Sequence, residues 1–400
     1  MPQQSYAFLG TPGFIRDPGR FDDAQMLSAL GGNAGNLLLQ HAAAQIVDAP
    51  LVHLSMSDIP YLDTPEVRAT DTLIFPAADH LRPGTDWQSL NNYLEGIGKS
   101  LVVLGLGAAT PGPLGETGMI AALRASAPVM RMVDILRERA VLVTVRGEYS
   151  KRVCIALGLP DVEVAGCPSA LLNPDPRLGD AIAARLAFAA ADAGPVRMSA
   201  SAAAPFEIAD NAQAQALEQR LLAWAMAHDG LYVQQSGGLP GWLACNGRWY
   251  DLEPDTRDAI GGVIAGEAAP LDLWAFLARQ GRFPTAVSDW LSDLRGQDLV
   301  MGTRIHGALA AIAAGTPGVL LGAAKSELAR THHLPFLDQD RAIAAPSLPR
   351  AVAQTSFNPL AFDRARILAA RVLVKGFDRL AIPLASHVRH LARQSRPSPA

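Results

Sequence analysis

The stretch Leu299-Val-Met-Gly-Thr-Arg304-Ile-His306-Gly307-Ala-Leu-Ala-Ala-Ile-Ala313 is the most informative part of this chain for its fold. Its short apolar run predicts a buried strand, and the small residues after Gly307 predict a helix. In a doubly wound sheet, the junction between a strand and the next helix faces the crevice where ligands bind. Backbone N–H groups at such a helix start can hold an anion. The stretch therefore predicts an anion site that carries Arg304 and His306.

Length and composition limit the class of protein. The chain has 400 residues, of which 49% are hydrophobic and 18% charged, and its formal net charge is -4. This is ample apolar material for folding and too much for one ordinary core, so we expect two domains. The absence of a basic stripe argues against a nucleic-acid partner. Neither the cysteines nor the acidic residues have metal-site spacing, so we expect no metal and no cofactor.

The ends of the chain bear on its location. The start, MPQQSYAFLG, lacks the charged-then-apolar pattern of a signal peptide. No run approaches the ~18 uninterrupted apolar residues of a transmembrane helix. We therefore expect a cytoplasmic protein. Arg389, Arg393 and Arg396 leave peripheral membrane association open, although a solvated tail is the favoured interpretation.

Strand-like and helix-like segments alternate along most of the chain. The sequence predicts apolar strands at 71–76, 100–106, 140–145, 162–165, 230–235, 299–301 and 318–321, and a short extended piece at 286–289. It predicts helices at 87–97, 119–127, 130–138, 148–157, 211–228, most of 261–283, and 358–393 with a break at Pro383. Continuous apolar strands between helices indicate parallel sheets that are covered on both faces.

A turn-rich segment at 173–180 interrupts this alternation. We predict an α/β protein with an N-terminal Rossmann-like domain at 1–180, a second Rossmann-like domain at 190–345, and a helical segment at 350–400 that packs back. This arrangement resembles the GT-B architecture. The cleft between two such domains is the expected ligand site. Similarity of fold alone does not establish function.

Four residues of the second half are candidates for an anion site. Arg304 offers a planar guanidinium that suits carboxylate or phosphate, and His306 titrates near neutral pH. Gly307 lets a ligand approach the helix start closely, and Lys325 follows the next strand as a second cation. The alternative is structural: an arginine that caps a strand end and a histidine that satisfies a buried carbonyl.

The first half has a similar junction, Thr144-Val-Arg146-Gly147-Glu-Tyr-Ser150. Arg146 ends the strand, and Ser150 can donate to an anion at the helix start. Capping of the helix alone also accounts for Ser150. We count both residues as further candidates for anion binding.

Two glycine-rich turns are candidates for binding a polar ligand. The first contains Asn33 and Asn36, and the second contains Gly105 and Gly107 after a predicted strand. Neither turn is a Walker loop or a clean dinucleotide-binding fingerprint. Amide and backbone N–H groups in both turns suit a polar ligand.

Together these residues resemble the polysaccharide pyruvyl transferase family. The similarity rests on 32–36, 145–150, 166–169, 302–307, 315–317 and Lys325. It implies a GT-B-like enzyme that takes phosphoenolpyruvate, attaches its pyruvyl group to a sugar as a ketal, and releases phosphate. The acceptor would be a sugar, a glycolipid or a polysaccharide. Arg304 and His306 would lie in the donor site, with His306 as the acid or the base. Arg146 and Ser150 would join the donor site, and the acceptor would bind Asn33, Asn36, Gly105 and Gly107.

One departure from the family concerns the strand that opens the second domain. Family members often carry an arginine just after this strand. Here it reads Val196-Arg197-Met-Ser199-Ala-Ser201-Ala, with Arg197 inside the strand and serine and alanine at the expected position. Two alternatives therefore stay open: a GT-B glycosyltransferase that uses a nucleotide sugar, and a non-catalytic binding protein on the same fold.

Overall fold

Two parallel sheets organise the molecule. The computed structural model describes residues 5–54, 64–266, 272–322 and 326–395. Within these residues the first sheet has the order β2-β1-β3-β4-β5-β6 and contains β1 (Tyr6–Leu9), β2 (Leu51–Leu54), β3 (Thr72–Pro76), β4 (Ser100–Leu106), β5 (Ala140–Val145) and β6 (Glu163–Val164). The second has the order β12-β11-β10-β7-β8-β9 and contains β7 (Met198–Ala202), β8 (Tyr232–Gln234), β9 (Gly281–Arg282), β10 (Leu299–Gly302), β11 (Gly318–Gly322) and β12 (Phe336–Asp338).

Helices form most of the connections between the strands. The first half contains α1 (Asp23–Ala29), α2 (Gly35–Gln45), α3 (Pro65–Arg68), α4 (Gln88–Ile97), α5 (Gly115–Ala125), α6 (Ala127–Arg139), α7 (Glu148–Ala156) and α8 (Leu178–Ala190). The second half contains α9 (Pro205–Ile208), α10 (Ala212–Ala227), α11 (Gly238–Cys245), α12 (Pro254–Ala265), α13 (Leu273–Gln280), α14 (Val287–Arg295), α15 (Ile305–Ala313), α16 (Glu327–Thr331), α17 (Gln339–Ala344), α18 (Leu348–Val352), α19 (Pro359–Arg379) and α20 (Ser386–Arg393). Within the described ranges, none of these helices has the combination of length and apolar character that crossing a membrane requires.

The central strands are buried on both faces. Every residue of β7 is buried, as is every residue of β4 after Ser100. Consecutive burial is typical of a parallel sheet with helices on both sides, because neither face meets water. The two Rossmann-like sheets in series confirm the predicted fold class.

The C-terminal helices return to the first sheet. Leu373 and Phe377 of α19 belong to the same buried cluster as Phe8 and Val102 of that sheet. At Gly376, an added Cβ would come within 2.8 Å of a methyl carbon of Leu142, so a side chain there would push α19 away from β5. The predicted packing back of the C-terminal segment is confirmed.

Three local predictions are wrong. The segment predicted as extended at 286–289 begins α14, because Val287, Trp290 and Leu294 fall on one buried helical face. The segment 281–282, predicted within a helix, forms the edge strand β9. Arg197 precedes β7 rather than lying inside it; its side chain is 60% exposed, 3.9 Å from the carboxylate of Asp229.

Candidate functional site

A cavity of about 250 Å³ lies at the carboxyl ends of β10 and β11. Its lining residues are Asn33, Gln235, Thr303, Arg304, Ile305, His306, Leu320, Leu321 and Ser326. Carboxyl ends of parallel strands are the usual ligand-binding edge of α/β proteins. The fold therefore brings Arg304 and His306 together with Asn33, which comes from the other half of the chain.

Arg304 precedes α15 and is partly committed to protein contacts. Its Nη2 donates to Ser236 Oγ at 2.9 Å and to Glu207 Oε2 at 2.5 Å. Its Nε is buried and has no hydrogen-bond partner among the described residues. A guanidinium N–H in this position can donate to an anionic ligand.

His306 lies in the first turn of α15 and is 7% exposed. Burial, and secondarily the positive charge of Arg146, lowers its pKa to about 3. The imidazole is therefore uncharged at neutral pH. Its Nε2 is buried without a partner in the described part of the chain. At Gly35, an added Cβ would come within 2.6 Å of His306 Nδ1, so the start of α2 packs directly on the imidazole.

The glycine-rich turn before α2 lies against the second half of the chain. The backbone N–H of Ala34 donates to the carbonyl of Gln235 at 2.7 Å. Asn33 lines the cavity, and its Oδ1 accepts from the N–H of Gly35 at 2.6 Å. The Nδ2 of Asn36 instead donates to the carbonyl of Gly31 at 2.7 Å. Of the two asparagines assigned to the acceptor, Asn33 reaches the cavity and Asn36 stabilises the turn.

Arg146 lies behind the cavity, close enough to lower the pKa of His306. Its Nη1 donates to Asp79 Oδ1 at 2.6 Å, and its side chain is 8% exposed. At Gly107, an added Cβ would come within 2.6 Å of Arg146 Cδ. Gly105 has a φ of 74°, which favours glycine, and donates to Thr144 Oγ1. Neither glycine lines the cavity; Gly107 makes room for Arg146, and Gly105 allows the turn after β4.

Ser150 is already hydrogen-bonded to a carboxylate. Its Oγ donates to Glu327 Oε2 at 2.6 Å, and its backbone N–H donates to Glu327 Oε1 at 2.7 Å. The same Oγ accepts from the N–H of Ala108 at 3.0 Å. Glu327, which the local sequence around Ser150 does not indicate, occupies the predicted anion position at the start of α7.

Two further candidates complete the predicted set. Lys325 lies outside the described residues. Gly307 is buried, and an added Cβ would come within 1.8 Å of Ser201 Oγ and 2.7 Å of Gln235 Nε2. The glycine therefore allows α15 to pack close to those two side chains, and, contrary to the sequence-based prediction, it does not make room for a ligand.

The sequence analysis also missed the polar residues that follow β7 and β8. Gln235 is 1% exposed, its Nε2 donates to Ser201 Oγ at 2.8 Å, and its Oε1 has no partner within the described ranges. Ser236 and Glu207 hold Arg304. The run of polar residues Gln234-Gln235-Ser236, at the carboxyl end of the strand predicted at 230–235, was the available signal. In the part of the chain that the structure describes, no group of three His, Cys, Asp or Glu side chains is suited to a metal.

Comparisons with known proteins give one family match. Residues 30–221 match the family model for polysaccharide pyruvyl transferase. Among solved structures, Anabaena Alr3699/HepE in complex with UDP and glucose is 13% identical with a TM-score of 0.42, over 94% of this chain and 98% of that chain. The S. aureus MnaA–UDP structure is 9% identical with a TM-score of 0.43, over 95% of this chain and 97% of that chain. No curated protein matches significantly.

Proposed function

Because residues 30–221 belong to the polysaccharide pyruvyl transferase family, whose members are transferases, we propose that this enzyme transfers the pyruvyl group of phosphoenolpyruvate to a sugar. The observation that carries the proposal is one cavity lined by Arg304, His306 and Asn33. Two nitrogens there, Arg304 Nε and His306 Nε2, are buried without partners among the described residues. Such atoms suit an anionic ligand and a proton transfer beside it.

The donor is a small molecule with a carboxylate and a phosphate. We assign Arg304 to one of these groups, with Lys325 as a second cation whose position lies outside the described residues. Arg146 supplies positive charge behind the cavity. We no longer assign Ser150 to the donor, because Glu327 takes both its hydroxyl and its N–H. Gly307 supports the site through packing.

The reaction needs two sugar hydroxyls. One attacks C2 of the donor as the methylene carbon gains a proton, the C–O bond to phosphate breaks, and the second hydroxyl closes the ketal. In net terms, one hydroxyl proton is matched by the proton gained by the methyl group of the product, and the other is carried by the released phosphate. We assign His306 as the proton-transfer group, the acid or the base of the reaction, because it lines the cavity beside Arg304 and its Nε2 has no partner among the described residues. A general acid or base contributes about 10²–10⁴ in rate.

The remaining assignments belong to the same proposal. Residues 190–345 form most of the donor side, residues 1–180 most of the acceptor side, and residues 350–400 pack back on the first domain. The acceptor is a sugar, a glycolipid or a polysaccharide, and Asn33 contacts it. The proposed location is the cytoplasm. Exposed Arg393 leaves peripheral membrane association open, and Arg396 lies outside the described residues.

Direct binding and turnover test this function. Calorimetry with phosphoenolpyruvate, UDP and GDP compares the donors, and phosphate release with and without a sugar panel measures transfer. We expect phosphoenolpyruvate to bind most tightly and phosphate release to depend on the sugar. Tighter binding of UDP or GDP would favour a nucleotide-sugar glycosyltransferase. Donor binding without phosphate release in any pairing would favour a non-catalytic binding protein.

A further inference from the structure

Gln235 is held firmly on both its backbone and its side chain. It follows β8 and is 1% exposed. Its carbonyl accepts from the N–H of Ala34 at 2.7 Å, which joins the two halves of the chain. Its Nε2 donates to Ser201 Oγ at 2.8 Å. Because the backbone and Nε2 of Gln235 are both held, the side-chain oxygen Oε1 has a defined position.

The side-chain oxygen of Gln235 has no partner among the described residues. Gln235 Oε1 is buried and makes no hydrogen bond with any described residue, yet Gln235 lines the cavity beside Arg304 and His306. Buried polar atoms of native proteins are nearly always satisfied, so an unpaired oxygen on a residue that lines a cavity points to a ligand group. The contrast with Ser199 is informative. Ser199 and Gln297 form a second buried serine–glutamine pair. There the Oγ of Ser199 donates to Gln297 Oε1 at 2.8 Å, so the amide oxygen of Gln297 does have a partner.

We propose that Gln235 binds a hydroxyl group of the sugar acceptor, next to the donor held by Arg304. This inference rests on the pyruvyl-transfer function above. An amide is uncharged and gives an anion no net attraction, whereas a hydroxyl both donates and accepts and so satisfies either end of an amide. The cavity thus separates two tasks: the guanidinium takes the acidic donor, and Gln235 orients the hydroxyl beside the uncharged His306.

Ser201 and Gly307 complete this arrangement. Ser201 holds the amide, and Gly307 leaves the space that the serine and the amide occupy. A Cβ at position 307 would overlap Ser201 Oγ, at 1.8 Å. Ser201 and Gly307 are therefore positioning residues, which act on the sugar through Gln235.

Ligand-observed NMR with the full chain tests this assignment independently of turnover. The probes are methyl pyranosides of glucose, galactose and mannose, each titrated with saturating phosphoenolpyruvate and without it. In Gln235→Met we expect sugar affinity to fall at least about tenfold, as for loss of a buried hydrogen bond, while the Kd for phosphoenolpyruvate changes less than about threefold. Ser201→Ala should weaken sugar binding in the same direction. Gln297→Met is the matched control, because it removes the buried amide of the second serine–glutamine pair, which does not line the cavity.

The outcomes separate this inference from the proposed function. Equal sugar binding by the wild type and Gln235→Met, or no sugar binding by the wild type, would overturn the role of Gln235. A parallel loss in Gln297→Met would also overturn it, since the effect would then reflect general destabilisation. If the wild type does not bind phosphoenolpyruvate but sugar binding is still lost in Gln235→Met, the assignment of phosphoenolpyruvate as the donor is wrong and the role of Gln235 stands.

Discussion

Ser150 in the first half of the chain and Glu327 in the second are joined by two hydrogen bonds. The backbone N–H and Oγ of Ser150 donate to the two carboxylate oxygens at 2.7 and 2.6 Å. Helix starts favour negative charge, so the carboxylate takes the place that an anionic ligand would occupy at α7. A Cβ at Gly147 would come within 2.6 Å of Glu327 Cγ, so the chain approaches closely there. This contact joins the two halves.

Glu327→Gln tests whether this contact is structural. We expect it to lower the free energy of unfolding by about 1–2 kcal/mol, because charge-assisted hydrogen bonds become neutral ones. Urea denaturation measures the change. Glu148→Gln is the control, since Glu148 is an exposed acid in the first turn of α7, close to Ser150 in the chain. Markedly tighter phosphoenolpyruvate binding by Glu327→Gln would instead show that the start of α7 belongs to the donor site.

His306→Ala tests the proton-transfer assignment. We expect the variant to bind phosphoenolpyruvate and to turn over at least about a hundredfold more slowly, as for removal of a general acid or base. Calorimetry and sugar-dependent phosphate release measure the two effects. His332→Asn is the control, because His332 is also buried but does not line the cavity that His306 lines, and its Nε2 accepts from the N–H of Cys167 at 2.8 Å. Near wild-type turnover in His306→Ala would reject the assignment.

The same histidine makes stability depend on pH. Burial first, then Arg146, holds the pKa of His306 at about 3, below its unfolded value. Below pH 6.5 the unfolded state therefore binds more protons than the folded state. The contribution of His306 to the free energy of unfolding is full above pH 6.5 and is lost as pH falls toward 3. The loss is about 1.4 kcal/mol per pH unit.

Other buried groups require a comparison between variants. Burial likewise lowers the pKa of His80 and His332 to about 4, whereas it raises that of Glu218 to about 7 and that of Asp363 to about 6. The two acids act in the opposite direction. The measurement is therefore the difference in unfolding free energy between pH 7 and pH 5, compared for wild type and His306→Asn. We expect the wild type to lose more stability, and an identical loss in both proteins would contradict this.

The limits of sequence analysis follow from the distance between partners. The β10–α15 junction was predictable because an apolar run and a small-residue helix are local patterns. The cavity beside Arg304 was expected from the carboxyl-end rule. The pairing of Ser150 with Glu327 was not, since these residues are far apart in the chain. Helix capping explained Ser150 from local sequence, but the tertiary structure places a carboxylate there instead.

Gly35→Ala tests the contact between the start of α2 and the imidazole. The new Cβ would come within 2.6 Å of His306 Nδ1 and 2.8 Å of Asn33 Oδ1, so we expect the imidazole to move and turnover to fall. Replacing a helical glycine by alanine usually stabilises, by up to about 1 kcal/mol. Gly96→Ala in α4 is the control, because nothing lies within 4 Å of the added carbon. Wild-type turnover and raised stability in Gly35→Ala would show that the contact is unimportant.

Glu207→Gln tests whether Arg304 binds the donor anion. Glu207 is 57% exposed and pairs with the guanidinium, whose side chain is 21% exposed, so the carboxylate competes with an anionic ligand. Exposed ion pairs contribute at most about 1 kcal/mol, so releasing this one should tighten phosphoenolpyruvate binding by no more than about fivefold. Asp210→Asn, a nearby exposed acid, controls for the general change in charge. If Glu207 instead orients Arg304 for the donor, binding weakens in Glu207→Gln and stays unchanged in Asp210→Asn. Equal affinity in all three proteins would place the donor away from Arg304.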